Sequence, residues 1–112
     1  RALVPRAAHL MSRLDDLKAI AAKSKKPLAH YGLAMEYRSA GDVENALLTF
    51  RRVHEIDRNY VAAWFMCAQM LAEAGRVDEA RAEVEEGIAV ARAVGDGHAV
   101  GEMQGLLDSL DD

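Results

Sequence analysis

Four histidines, one cysteine, four serines and an excess of carboxylates are the residues of this chain that could do chemistry, and His9 falls in a tag-like N-terminal segment. His30, His54 and His98 could serve as metal ligands or acid–base groups. They fall in three separate predicted helices, with no Cys and no paired carboxylate at metal-ligand spacing beside them, so packing or surface roles are expected for each. Cys67 and the serines Ser12, Ser24, Ser39 and Ser109 could be nucleophiles. A nucleophile needs a base within hydrogen-bond reach to activate it, and no such arrangement is visible. The serines all lie near predicted helix ends. Cys67 sits in WFMCAQML, where a thiol behaves as a small hydrophobe. The acidic residues are spread over helix faces, and the run EVEEG (83–87) reads as a solvated outer surface. The glycines form no phosphate-binding fingerprint, because such a fingerprint follows a strand and no strand is predicted. The sequence therefore predicts no enzyme, no metal and no cofactor.

Composition narrows the class further. A chain of 112 residues that is 51% hydrophobic but only 5% aromatic has room for one domain with one modest core. Its apolar content is mostly Ala, Leu and Val, and Ala and Leu are strong helix formers. With two prolines and no β-branched runs, the expected class is all-α. No apolar run approaches the roughly 18 residues of a spanning helix, and the basic start is not followed by the apolar stretch of a signal peptide. No membrane partner is expected. A single cysteine leaves no partner for an intrachain disulfide and fits a reducing cytoplasm. Residues 1–26 carry a balance of +5 and residues 27–112 one of −9, giving the overall −4. An acidic body is wrong for phosphate contacts, which need clustered Lys and Arg, so no nucleic-acid partner is expected.

The elements that must position any site are helices separated by short breaks. Residues 3–6, LVPR, resemble the thrombin recognition sequence of expression vectors. Residues 1–10 are accordingly expected to be a tag remnant and Met11 a native start, with one domain over 11–112. SRLDDLKAIAAK (12–23) opens with an approximate capping box, Ser12 with Asp15, and predicts a short first helix. SKKP ends it, and Pro27 suits the start of the next. Helices are then predicted at about 28–40, 42–56, 60–74, 76–94 and 98–110. The stretches SAGDVENA (39–46) and EAGRVDEA (73–80) have the same design 34 residues apart. Gly41 and Gly75 stand where a helix commonly ends in a left-handed residue. Asp42 and Asp78 stand near the positive end of the following helix.

Two helices per unit at a period of 34 resemble the tetratricopeptide repeat. Trp64, Cys67, Ala68, Leu71, Ala80 and Val84 occupy its motif positions in the second unit. Leu33, Tyr37, Ala46 and Phe50 do so in the first, where His30 replaces the Trp and Ala34 the Gly. Both units depart at the final proline, where Arg58 and Arg92 stand. The resemblance covers 27–94, as repeats at about 27–60 and 61–94. Small residues at Ala34, Ala46, Ala68 and Ala80 would let paired helices approach closely, and Tyr37, Phe50, Trp64 and Leu71 would fill the gaps. These motif residues are expected to be scaffold. The tail (85–110) is similar to the end of small bacterial two-repeat members, where a capping helix closes a right-handed superhelical stack. Ala99, Met103, Leu106, Leu107 and Leu110 give that helix one apolar stripe. Gly101 and Gly105 share its opposite face, either merely tolerated there or making a close contact with another chain.

The resemblance also implies a function. In the family, the first helix of each pair lines a concave groove that holds an extended or helical peptide. Carried onto this sequence, the groove residues are Tyr31, Met35 and Arg38 in the first unit and Phe65, Gln69 and Glu73 in the second. Members that grip a terminal carboxylate use Lys and Asn there, and neither repeat here contains a lysine. The expected function is non-catalytic binding of a protein or peptide. The alternative is structural self-association, with the groove filled by a second copy. A third arrangement has the groove covered by the protein's own first helix.

Overall fold

The computed structural model describes the backbone of residues 6–111 and the side chains of 13–111. Residues 1–5 of the tag-like segment, and the side chains of 6–12, lie outside the described residues. The described chain is six helices with no strand: α1 (Arg6–Lys23), α2 (Pro27–Ser39), α3 (Val43–Ile56), α4 (Val61–Glu73), α5 (Val77–Val94) and α6 (Gly97–Leu110). The all-α repeat class stands, and five of the six helices begin and end within a residue of expectation. The exception is α1, which starts at Arg6 and runs through Ser12, so the Ser12–Asp15 capping box does not open a helix.

The corners are built as their sequences indicate. Gly41 and Gly75 take φ of 78° and 77°, a left-handed conformation that costs glycine little and other residues more. Asp42 caps α3, its carboxylate accepting from the Asn45 backbone N–H at 3.2 Å and the Asn45 side-chain amide at 2.7 Å. Asp78 lies in the first turn of α5. Pro27 opens α2, where its missing N–H is not needed. The third corner repeats the device, with Gly95 left-handed and Asp96 capping Ala99 at 3.0 Å.

Packing follows the motif. Ala34, Ala46, Ala68 and Ala80 are fully buried, and Phe50, Trp64, Leu71 and Tyr37 are buried beside them. The helices pair as α2 with α3 and α4 with α5, and α6 closes over α5 and α4. Met103 of α6 is fully buried in one cluster with Trp64, Val84 and Ile88, so the last helix does cover the second pair.

The groove face and its depression

Pro27, Val61 and Gly97 open α2, α4 and α6, 34 and 36 residues apart. α5 is longer than α3, and the turn after it is shorter, so the third helix falls two residues out of the 34-residue register. Counted from their own first residues, the three helices are equivalent. His30, Trp64 and Val100 share the fourth position, and Leu33, Cys67 and Met103 the seventh, where all three are buried. The groove positions follow. Tyr31, Phe65 and Gly101 form one row, Met35, Gln69 and Gly105 the next, and Gly32, Met66 and Glu102 a third. At 100° per residue, Tyr31, Met35 and Arg38 fall within a narrow arc of α2, and their counterparts do so on α4 and α6.

Contacts show that this face is shared between helices. Arg38 reaches from α2 across α4, its guanidinium donating to Glu73 Oε1 at 2.8 Å and lying 3.5 Å from Met66 Sδ. The Tyr31 ring leans into the seam, 5.2 Å from the Tyr60 ring and 6.3 Å from that of Phe50. Burial, with the nearby Tyr60, raises its pKa above the ordinary value, while Arg38 pulls it slightly the other way. Phe65 and Met35 are partly buried, Gln69 likewise, and Glu73 is exposed. The six expected groove residues thus lie on one face, but unequally. Tyr31 is as much wall as floor, and Arg38 with Glu73 spans the floor between α2 and α4.

α1 makes its described polar contacts away from this face. Its Arg13 pairs with Glu36 at 3.3 Å and its Lys18 lies 5.7 Å over the Tyr37 ring. Both contacts are on the opposite side of α2. Between α4 and α6 the groove deepens into a depression of about 240 Å³, whose lining includes Ala62, Phe65, Met66, His98, Ala99 and Glu102. Of these, sequence reasoning named only Phe65 as a groove residue. It counted α6 as a cap, and a strict period of 34 puts its groove face out of register. The duplicated Gly-Asp corner at Gly95–Asp96 is the signal that corrects the count.

The residues with chemical potential are placed elsewhere. Cys67 is fully buried, and burial, with Glu83 nearby, pushes its thiol far above the ordinary range. It packs as a small buried hydrophobe, and the raised pKa disfavours the thiolate that a nucleophile needs. His30 is buried and its Nε2 bonds to the Ser24 carbonyl at 2.8 Å. His98 is exposed beside Glu102 at 3.2 Å. His54 is the surprise, because its Nε2 meets Glu83 Oε2 at 2.5 Å in a nearly buried pair. The run EVEEG is therefore not simply a wet surface. Glu83 is turned inward, and Gly87 is buried against Trp64 and Met103. Arg58, standing where the repeat pattern has proline, accepts the Trp64 indole N–H on its carbonyl at 2.9 Å and lays its guanidinium over the same ring. Among the described residues no group of three or more His, Cys, Asp or Glu could hold a metal ion, and no helix is long and apolar enough to cross a membrane.

Stacked helix pairs with small residues at their crossings and an open face on each first helix define a helical-repeat protein. A sequence profile of the tetratricopeptide repeat matches residues 37–100, and the chain belongs to the tetratricopeptide repeat family. It is 35% identical over 99 residues to the TPR repeat-containing protein PA0015 of Pseudomonas aeruginosa, covering 88% of this chain and 94% of that one. Among solved structures it is similar to BPP2914 of Bordetella parapertussis, with a TM-score of 0.75 and 28% identity over 88% of this chain and 86% of that one. PcrH of Pseudomonas aeruginosa, solved in complex with the chaperone binding region of PopD, shares the fold at a TM-score of 0.82 and 18% identity. That likeness covers 95% of this chain and 81% of PcrH.

Proposed function

We propose that this protein is a non-catalytic scaffold that holds a peptide segment of a protein partner in the groove formed by α2, α4 and α6. The observation that carries the reading is the partly buried, apolar pair Phe65 and Met66 at the floor of an open depression. Aromatic and Met side chains in such a position offer large contact area at a recognition site. Tyr31, Met35, Arg38, Gln69 and Glu73 continue the same face toward the first repeat. The family is a binding family, and PcrH, of like fold, has been seen holding a segment of PopD. The acidic body repels phosphate, which argues for protein over nucleic acid. The single buried thiol suits a reducing cytoplasm, a placement that cell fractionation would check.

Selection of random twelve-residue peptides displayed on phage, against the full chain, tests the reading. Sedimentation gives the solution mass beside it. A monomer that enriches peptides, and loses them on Phe65→Ala while its melting stays cooperative, is the expected result. A dimer that Phe65→Ala dissociates, with no peptide enriched, would replace peptide binding by self-association.

A further inference from the structure

We infer that the segment held in this groove carries an apolar anchor with a lysine or arginine close to it, the anchor lying between α4 and α6 and the cation against Glu102. This rests on the groove reading above and adds the chemistry of the occupant. The first observation is the grading of the groove from end to end. In the row Tyr31, Phe65, Gly101 and the row Met35, Gln69, Gly105, the floor falls from large side chains to none. A Cβ built on Gly101 or Gly105 meets nothing within 4 Å, but neither does one on Gly32 at the α2 end, so the room for an anchor is given by the depression beside Phe65 and Met66.

The second observation is charge. Arg38 is the one Lys or Arg on the groove faces of the three helices among the described residues, and its guanidinium is already held by Glu73 at 2.8 Å. At the α6 end the carboxylates are compensated only in part, Arg81 of α5 pairing with Asp111 and the Ala99 N–H bonding to Asp96. Residues 93–112 contain no Lys or Arg and hold five carboxylates. Glu102 belongs to the lining of the depression, and the described group bonded to it is the exposed His98 imidazole at 3.2 Å. Asp108, exposed and bonded by the Gln104 amide at 2.9 Å, lies about 120° round α6 from Glu102 and outside the depression. An anionic rim beside an apolar floor favours a partner of opposite sign and disfavours an acidic one, because like charges brought together at an interface are repelled. The volume of about 240 Å³ suits one side chain of Leu, Met or Phe size, not a folded surface.

The same phage selection reads this out separately. Enriched peptides should contain an apolar residue with Lys or Arg within about four positions, and should be depleted in Asp and Glu. Synthetic copies of them should bind Glu102→Lys about tenfold more weakly, and a selection repeated on Glu102→Lys should lose the cation preference. Glu85→Lys, a charge reversal at an exposed position of α5, should leave binding unchanged, which separates the rim from net charge. Glu102 is exposed, so the variant should melt like the parent. Peptides that bind through Phe65 but show no cation preference, or that ignore Glu102→Lys, overturn this inference and leave the groove reading standing. Enrichment of no peptide at all overturns both.

Discussion

The imidazole of His54 lies flat on the indole of Trp64, with ring centroids 3.5 Å apart and planes 4° from parallel. The same imidazole meets Glu83 of α5 at 2.5 Å, so one side chain of α3 ties together both helices of the following pair. This joint between the two repeats is polar on one edge and apolar on its face. The His54 Nδ1 is buried with no hydrogen-bond partner. Removing the Glu83 carboxylate would then leave both ring nitrogens unpaired in a nearly dry site. Glu83→Ala should cost about 1–3 kcal/mol in chemical denaturation, and Glu83→Gln, which keeps an acceptor, clearly less. Equal losses for the two variants would mean that the bond itself contributes nothing.

Glycines of opposite consequence sit on facing helices. A Cβ on Gly87 would lie 2.7 Å from Trp64 Cβ and 2.8 Å from Met103 Sδ. The thioether can swing aside, but the Trp64 Cβ moves only with α4. Gly87→Ala should therefore destabilise by about 1–3 kcal/mol, against the gain of roughly 1 kcal/mol that Ala normally brings inside a helix. Gly101→Ala and Gly105→Ala face open space, so each should show that gain. Thermal melting of the three variants checks the opposite signs.

How much of this could be read from the sequence depends on the range of the interaction. The corners SAGDVENA and EAGRVDEA specify themselves through a left-handed glycine and an acid beside a helix start. The small residues at Ala46 and Ala80 are burial signals fixed by the repeat pattern. The His54–Glu83 bond spans 29 residues and joins side chains with no local reason to meet, so EVEEG looked solvated. The groove face of α6 was missed for a different reason, a shift of two residues in period. The start of α1 lies among residues whose side chains are outside the description, and nothing local to Ser12 compels a helix to begin there.

The last helix acts as a lid on the second pair. Met103 is fully buried against Gly87, in one cluster with Val84, Ile88 and Trp64, and removal of 97–112 would expose that cluster to water. A stack with so few repeats has little stability in reserve. The truncated chain should aggregate or melt without cooperativity, as followed by circular dichroism and light scattering. A truncated chain that melts as sharply as the parent would show that α6 contributes little to the fold.

Acid should weaken the first corner in a defined direction. The Asn45 side-chain amide, and then its backbone N–H, hold the Asp42 carboxylate below its ordinary pKa of 3.8. A carboxyl whose folded pKa is depressed stabilises the fold above its unfolded pKa and loses that contribution as pH falls through the folded value. The difference in melting temperature between the parent and Asp42→Ala should be full near neutral pH and shrink through the acid range beneath 3.8. A difference that is constant with pH would mean that the neutral carboxyl caps α3 as well as the ion does.

Tyr31 and Phe65 occupy the same position on successive helices, yet their surroundings differ. Tyr31 leans on Phe50 and Tyr60 at the seam between repeats, whereas Phe65 lines the open depression beside Ala99. Truncating Tyr31 should therefore disturb both the fold and the groove, by roughly 1–2 kcal/mol in each measurement. Phe65→Ala should weaken peptide binding by about 1–2 kcal/mol or more at a smaller cost in stability. Trp64→Ala removes a buried side chain that stacks on His54 and packs on Gly87, so it should cost about 3–5 kcal/mol of folding free energy. The order of destabilisation should be Trp64, then Tyr31, then Phe65, and the order of binding loss among folded variants should put Phe65 first. Denaturation midpoints beside calorimetric titration of a selected peptide give both orders from the same proteins. If Phe65→Ala unfolds as readily as Trp64→Ala, its ring is core, and the depression between α4 and α6 is not a recognition surface.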